Sequence, residues 1–107
     1  MKNLDYEVGS SNVYEDLGYE ESAEMKIKAQ AVRVIAKYID TTGITQQELA
    51  DILGIDQPRI SRILRGQFSG VSLDKFISYL LALGKDIDIT ISETKKDSIG
   101  HLNIRAA

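Results

Sequence analysis

The sequence predicts an all-α domain that ends in a short β-strand or hairpin. Three stretches of the chain carry this prediction. Apolar side chains recur at helical spacing between residues 22 and 42. Residues 45–66 have the composition of two short helices separated by a glycine turn. Residues 87–91 alternate isoleucine with a polar side chain, which is typical of a half-buried strand.

The two outer helices are predicted from their apolar stripes. The first is expected to run from about Ser22 to Thr42, to stop at Gly43, and to keep its basic side chains largely outside the stripe. Its stripe consists of Met25, Val32, Ile35, Ala36 and Ile39, and the basic residues are Lys26, Lys28, Arg33 and Lys37. The last helix is expected to follow the cap Ser72 and to end at Gly84. Its core-facing residues are Leu73, Phe76, Ile77, Leu80 and Leu81.

The first helix of the central pair has recognisable start and stop signals. Thr45 is a good N-cap, and Glu48 three positions later completes a capping-box pattern. Gly54 follows the last apolar residue, where a left-handed backbone is least costly for glycine. The expected inward-facing residues are Leu49, Ile52 and Leu53.

The second helix of the pair divides into an apolar and a polar face. Asp56 is its expected N-cap, and Pro58 lies in the first turn, where no backbone donor is lost. The inward residues are Ile60, Ile63 and Leu64, and the outward residues are Gln57, Arg59, Ser61 and Arg62. A helix with a cationic, amide-bearing outer face fits the major groove of DNA.

This pattern resembles the helix-turn-helix of the Xre family, the phage-repressor and Cro type. The residues that carry the resemblance are Gln46, Ala50, Gly54, Ile60 and Ile63. It covers about residues 25–84 and implies a five-helix, lambda-repressor-like domain. The flanks at 12–18 and 83–89 resemble a subgroup of small Xre-type proteins, many of which are HigA-like antitoxins encoded beside a small ribonuclease toxin.

Base contacts are expected from the outer face of the second motif helix. An amide at Gln57 can pair with adenine, and the guanidinium groups of Arg59 and Arg62 can each hold guanine O6 and N7. Arg59 also fits a phosphate. Asp56 is first a cap and secondarily a cytosine contact. For all of these residues the competing interpretation is an ordinary solvated helix face.

Further contacts are expected with the DNA backbone. By the resemblance, Gln46 contacts a phosphate from the start of the first motif helix. Arg65, Ser69 and Lys75 fit phosphates as well, or plain surface positions. The complete set of expected DNA-binding residues is Gln46, Gln47, Asp56, Gln57, Arg59, Ser61, Arg62, Arg65, Ser69 and Lys75.

Charge and composition divide the chain into segments. The net charge of -3 is unusual for a DNA-binding protein. Residues 1–24 hold seven acidic side chains and one lysine, a net of -6, and the other twelve basic and nine acidic groups give residues 25–107 a net of +3. We therefore expect an acidic leader over residues 1–20, extended or partly disordered, a DNA-binding domain over 21–84, and a β element with tail over 85–107.

The predicted strand needs a partner, because one strand cannot satisfy its own edge. Pairing with the tail as a hairpin and pairing with its twin in a second subunit are both open. The second arrangement would place two recognition helices on one side of a homodimer, which would read half-sites about 34 Å apart in a palindromic operator.

Catalysis is not expected from this sequence. The chain has one histidine, His101, and no cysteine, so neither a transition-metal site nor a cofactor is predicted. No residue pattern joins a nucleophile to a base. There is no apolar run of about 20 residues for a membrane span and no signal peptide, so we expect a cytoplasmic location.

The predicted function is a sequence-specific repressor that binds double-stranded DNA. The resemblance implies a second role as the antitoxin of a toxin–antitoxin pair that regulates its own operon. The acidic leader would then wrap a small basic ribonuclease toxin, or it would serve only solubility. A stand-alone regulator without a toxin partner is the alternative.

Overall fold

Four α-helices lie within the part of the chain that the structure describes. The computed structural model describes residues 20–95 and 98–105. Its helices are α1 (Glu20–Thr42), α2 (Gln46–Leu53), α3 (Gln57–Leu64) and α4 (Leu73–Ala82). The four helices predicted from the sequence are confirmed. The fifth helix that the resemblance implies is not among the described residues, and the acidic leader up to residue 19 lies outside them. None of the helices described is both long and apolar enough to cross a lipid bilayer.

Local hydrogen bonds fix the ends of α2. The Thr45 hydroxyl accepts from the Glu48 backbone N–H at 3.0 Å, and the Glu48 carboxylate accepts from the Thr45 N–H at 2.8 Å. This reciprocal pair confirms the predicted capping box. At the other end, Gly54 adopts the left-handed region with φ 73°, which lets the chain turn directly towards α3.

Side-chain caps also start α3 and α4. The Asp56 carboxylate accepts from the Arg59 N–H at 2.8 Å, and Pro58 lies in the first turn of α3. The Ser72 hydroxyl accepts from the Lys75 N–H at 3.3 Å. Each cap satisfies a backbone donor that the helix itself leaves free. The caps therefore set where α3 and α4 begin, and so where their side chains are presented.

The core forms where α1 packs on α4 and α2 packs on α3. Its most deeply buried large side chains are Phe76, Ile35, Leu49, Ile60 and Ile63. Phe76 makes edge-to-face contacts with Phe68 and Tyr79, with ring centroids 6.1 and 5.9 Å apart. Ring pairs of this kind contribute about 0.5–1.5 kcal/mol beyond burial alone. The core thus holds the two motif helices against a frame made by α1 and α4.

Two expected core residues lie outside the core. Ile52 is 45% exposed and Leu81 is 54% exposed. Around a helix with about 100° per residue, Ile52 lies about 60° from buried Leu49, on the side away from buried Ala50, and Leu81 lies about 140° from Phe76. The buried arc of each helix is therefore narrower than its apolar sequence pattern.

Lys28 was expected largely outside the apolar stripe but is only 5% exposed. Seven residues separate it from buried Ile35, so the two lie about 20° apart around α1. Ile27, absent from the predicted stripe, is 5% exposed and also belongs to the buried face.

The predicted C-terminal strand is not supported. Residues 85–95 and 98–105 contain no β-strand, and the described part of the fold is all-α. Ile87 packs against the core, but Ile89 and Ile91 are 78% and 94% exposed. Among the described residues the alternating stretch has no neighbouring strand edge, and without such a ladder it remains irregular.

Candidate nucleic-acid interface

Helix α3 has one buried and one exposed face, as its sequence predicts. Ile60 and Ile63 are 1% and 2% exposed, while Arg59 and Arg62 lie on the surface. Within residues 20–95 and 98–105, neither guanidinium group forms an ion pair or a side-chain hydrogen bond. Each arginine therefore keeps its full set of N–H donors for an external acceptor.

The two arginines meet Lys75 at one open cavity of about 380 Å³. We call it the arginine cavity, and its lining includes the polar side chains of Arg59, Arg62, Gln67, Ser72 and Lys75. It lies beside the N-terminal turn of α4, the end of the helix that carries partial positive charge. Three cations and a helix N-terminus around one cavity favour an anion such as a DNA phosphate. The fold thus brings together three of the predicted DNA-binding residues.

A hydrogen bond joins the first residues of the two motif helices. Gln57 donates through Nε2 to Oε1 of Gln46 at 2.7 Å, and both residues are half-buried. Gln57 keeps one N–H and its Oε1 free, which is the donor–acceptor pair that adenine requires. Gln46 keeps both N–H groups free to donate to a phosphate. The positions of the two glutamines in the structure are thus compatible with the expected adenine contact of Gln57 and the expected phosphate contact of Gln46. Their hydrogen bond also lets each side chain orient the other.

A second side-chain pair lies further along α3. Arg65 donates through Nη1 to the hydroxyl of Ser61 at 2.9 Å. Because the two residues are four apart, both lie on the same side of the helix. The bond directs Arg65 back along α3 and occupies Ser61, so Ser61 is better placed to orient Arg65 than to contact a base itself.

Three predicted residues are engaged elsewhere in the described fold. Gln47 donates to the Asp51 carboxylate within α2 at 3.0 Å, and Asp56 caps α3. Neither lines the arginine cavity. Ser69 lies in the loop between α3 and α4, where its backbone carbonyl rather than its hydroxyl makes the observed contact.

That contact comes from Lys28, which sequence analysis did not associate with the site. Its ammonium group donates to the Ser69 carbonyl at 3.2 Å and lies 3.3 Å from a Glu24 carboxylate oxygen. A buried ammonium needs such partners, since desolvation without them is costly. Lys28 thus ties α1 to the loop that supplies Gln67 to the arginine cavity. A basic residue close to the apolar stripe was the only sequence signal for it.

Gln67 and Ser72 are the other site residues that were not predicted as such. Ser72 was predicted only as a cap, and Gln67 was not among the predicted DNA-binding residues. Next to them, the Asp74 carboxylate accepts a hydrogen bond from the Ser72 hydroxyl and a second one, with a smaller effect, from its own backbone N–H. These bonds hold the pKa of Asp74 below its usual value. Asp74 is therefore charged at neutral pH and partly offsets the positive charge of Lys75.

Two capped helices joined by a left-handed glycine, with the second presenting free arginines, define a helix-turn-helix protein. Residues 13–92 match the family model described as a helix-turn-helix domain, and the chain belongs to this family. Among solved structures, a protein assigned to the XRE family of transcriptional regulators aligns with a TM-score of 0.73 and 25% sequence identity, over 82% of this chain and 100% of that chain. The fold is therefore of the XRE type. No curated protein matches the chain significantly.

Proposed function

We propose that the protein is a sequence-specific, DNA-binding transcriptional repressor of the XRE type. The observation that carries the proposal is the arginine cavity, where Arg59, Arg62 and Lys75 converge beside the exposed face of α3. The XRE-family regulator with the same fold supports it. Base-edge contacts would come from Gln57 and Arg62, and phosphate contacts from Gln46, Arg59, Arg65, Ser69 and Lys75. Gln47, Asp56 and Ser61 would have supporting roles at the rim.

The proposed working form is a homodimer on a palindromic operator. One α3 helix of eight residues carries only two free arginines at its surface. Twofold binding doubles the contacts and reads half-sites about 34 Å apart. The division into an acidic leader, a domain over residues 21–84 and a C-terminal element over 85–107 is part of this proposal. The expected cytoplasmic location follows from a DNA target and stays a prediction.

The test is a gel shift on DNA from upstream of the protein's own gene, with unrelated competitor DNA and graded salt. Specific retention that survives competitor, with affinity falling steeply as salt rises, would support the proposal. Arg62→Ala should weaken specific binding by about 1–3 kcal/mol and relax one base position. Arg33→Ala, which removes an exposed arginine of α1, is the matched control. If wild-type protein prefers no sequence, the repressor assignment fails.

A second proposed role is that of an antitoxin in a toxin–antitoxin pair. The favouring observation is the acid-rich start of the chain, where residues 1–24 hold seven carboxylates against one lysine. Such a segment complements a small basic ribonuclease electrostatically. A neighbouring reading frame for a small basic protein, and loss of its binding in the Glu15→Gln, Asp16→Asn variant with DNA binding intact, would support this role. An isolated gene would favour a stand-alone regulator.

A further inference from the structure

The segment that follows α4 leaves most of its backbone without hydrogen-bond partners among the described residues. The N–H of Lys85 still donates to the Leu80 carbonyl at 3.0 Å. From residue 86 to residue 94, no backbone hydrogen bond joins the segment to any other described residue, including the tail at 98–105. A row of free N–H and C=O groups is a template for pairing with another strand.

The side chains of this segment also lack cover. Ile87 packs against the helical core, whereas Ile89 and Ile91 are 78% and 94% exposed. In an extended strand these three side chains share one face, because alternate residues point the same way. The apolar face thus begins on the protein's own core and continues beyond its edge. Single exposed isoleucines are common, but an apolar row leading out of a core is typical of an interaction surface.

We propose that a second copy of this chain covers the isoleucine segment, residues 85–93. The two segments pair antiparallel, with Ile89 on the twofold axis. In this register Ile87 lies opposite Ile91 of the second copy, and Lys85 lies opposite its Glu93. Asp86 and Asp88 face Ser92 and Thr90. Every apolar residue then meets an apolar residue, and the outermost charges are opposite in sign, which favours cross-strand pairing.

Neighbouring registers are much poorer. A register centred on Asp88 places the two Asp88 carboxylates directly opposite each other. A register centred on Thr90 places Lys85 against Lys95 and Ile87 against Glu93. If one segment slides by a single residue relative to the other, isoleucine lies opposite aspartate or threonine, and the apolar and polar faces of the two segments are mixed. In the Ile89-centred register the two Asp88 side chains meet only diagonally, about 7–8 Å apart and in solvent.

The helices provide a place for the isoleucine that each copy contributes. A groove of about 1160 Å³ runs between α1, α4 and the C-terminal residues, with Ala31, Val34, Tyr38 and Leu80 in its apolar wall beside Ile87. Because Ile91 of the second copy lies opposite Ile87, it lies at the edge of this α1–α4 groove, whose lining also includes the polar residues Asp86, Asp88, Thr90 and Ser92. No residue that lines the groove also lines the arginine cavity. The pairing therefore leaves both DNA-facing surfaces open.

This inference deepens the homodimer of the proposed function, but its test needs no DNA. The chain has no cysteine, so a single introduced cysteine reports one contact. In Ile89→Cys the two sulfurs meet at the axis, within the Cα separation that a disulfide accepts. Mild oxidation should convert most of this variant to a covalent dimer. Ser92→Cys is the matched control, since its two copies would be about 20 Å apart and should stay uncrosslinked.

Charge reversal tests the register independently. Lys85→Glu sets two glutamates opposite each other twice per dimer and should raise the dimer Kd by about tenfold or more. Adding Glu93→Lys should restore the wild-type Kd, measured by analytical ultracentrifugation. Equal cross-linking of both cysteine variants, a monomeric wild-type protein at tens of micromolar, or a double variant as weak as the single one would overturn the pairing. A dimer that forms without specific DNA binding would instead overturn only the proposed function.

Discussion

The hydrogen bond between Gln46 and Gln57 allows a quantitative prediction about DNA recognition. The bond is 2.7 Å long and holds the amide that is expected to read adenine. In Gln46→Ala, Gln57 loses this support, and its rotamers must be ordered when DNA binds. Fixing a glutamine side chain costs up to about 1.5–2 kcal/mol. A typical net hydrogen bond contributes about 0.5–1.5 kcal/mol, so we expect a loss in that range per subunit.

A dimer would lose this contribution at both half-sites. The total of about 1–3 kcal/mol corresponds to about a 5- to 150-fold weaker specific affinity. Binding to unrelated DNA should change much less, because phosphate contacts from the arginine cavity remain. The measurement is a competition gel shift at one fixed salt concentration, with circular dichroism to confirm that the variant is folded.

A double-mutant cycle separates this coupling from the phosphate contact that is proposed for Gln46 itself. Gln57→Ala alone removes the base contact together with the need for support. Adding Gln46→Ala to that variant should therefore cost clearly less than it costs in the wild-type protein, with a coupling energy of about 0.5–3 kcal/mol. Losses that add within about 0.3–0.5 kcal/mol would refute the idea that Gln46 orients Gln57.

Three other predictions follow from local contacts. Thr45→Ala should lower the stability of the fold by about 1 kcal/mol, seen as a Tm about 4–8 °C lower in thermal melts. Thr45→Ser is the control and should retain the capping box. An unchanged Tm in Thr45→Ala would show that the cap contributes little to stability. Lys28→Met should weaken binding to all DNA sequences alike, by several-fold, because the loop carrying Gln67 loses its anchor at Ser69; unaltered affinity in the gel shift would mean that the loop holds its shape alone. Ser72→Ala should raise the pKa of Asp74 towards its usual value in an NMR titration. Because the pKa of Asp74 is lower in the folded state, its carboxylate stabilises the fold at pH values above its unfolded pKa, and this contribution disappears as the pH falls below about 4. An identical Asp74 pKa in the wild-type and Ser72→Ala proteins would argue against the Ser72 bond.

The helix-turn-helix could be predicted from the sequence because its signals are local. Thr45 and Glu48 form one capping box within a single turn, and Gly54 ends α2 within the same short stretch. Alternation between buried Ile60 and exposed Arg59 is likewise a property of a single helix. Each of these features depends on residues only a few positions apart.

The remaining features depend on residues that the sequence does not place together. Lys28 and Ser69 are 41 residues apart, and only the packing of α1 on α4 brings them into contact. The arginine cavity likewise joins α3 to the first turn of α4. The C-terminal strand was predicted from alternation alone, which describes what a segment can pair with but not whether a partner is present.

The two faces of α3 also separate folding from target choice. Ile60 and Ile63 hold the helix in the core, whereas the side chains of Arg59 and Arg62 form no hydrogen bond or ion pair with the other described residues. Substitutions at such surface positions usually change stability by less than about 0.5 kcal/mol. Under the proposed function, relatives of this protein can therefore acquire new operators by exchanging a few outward residues, and a designer can retarget the scaffold by the same route without rebuilding its interior.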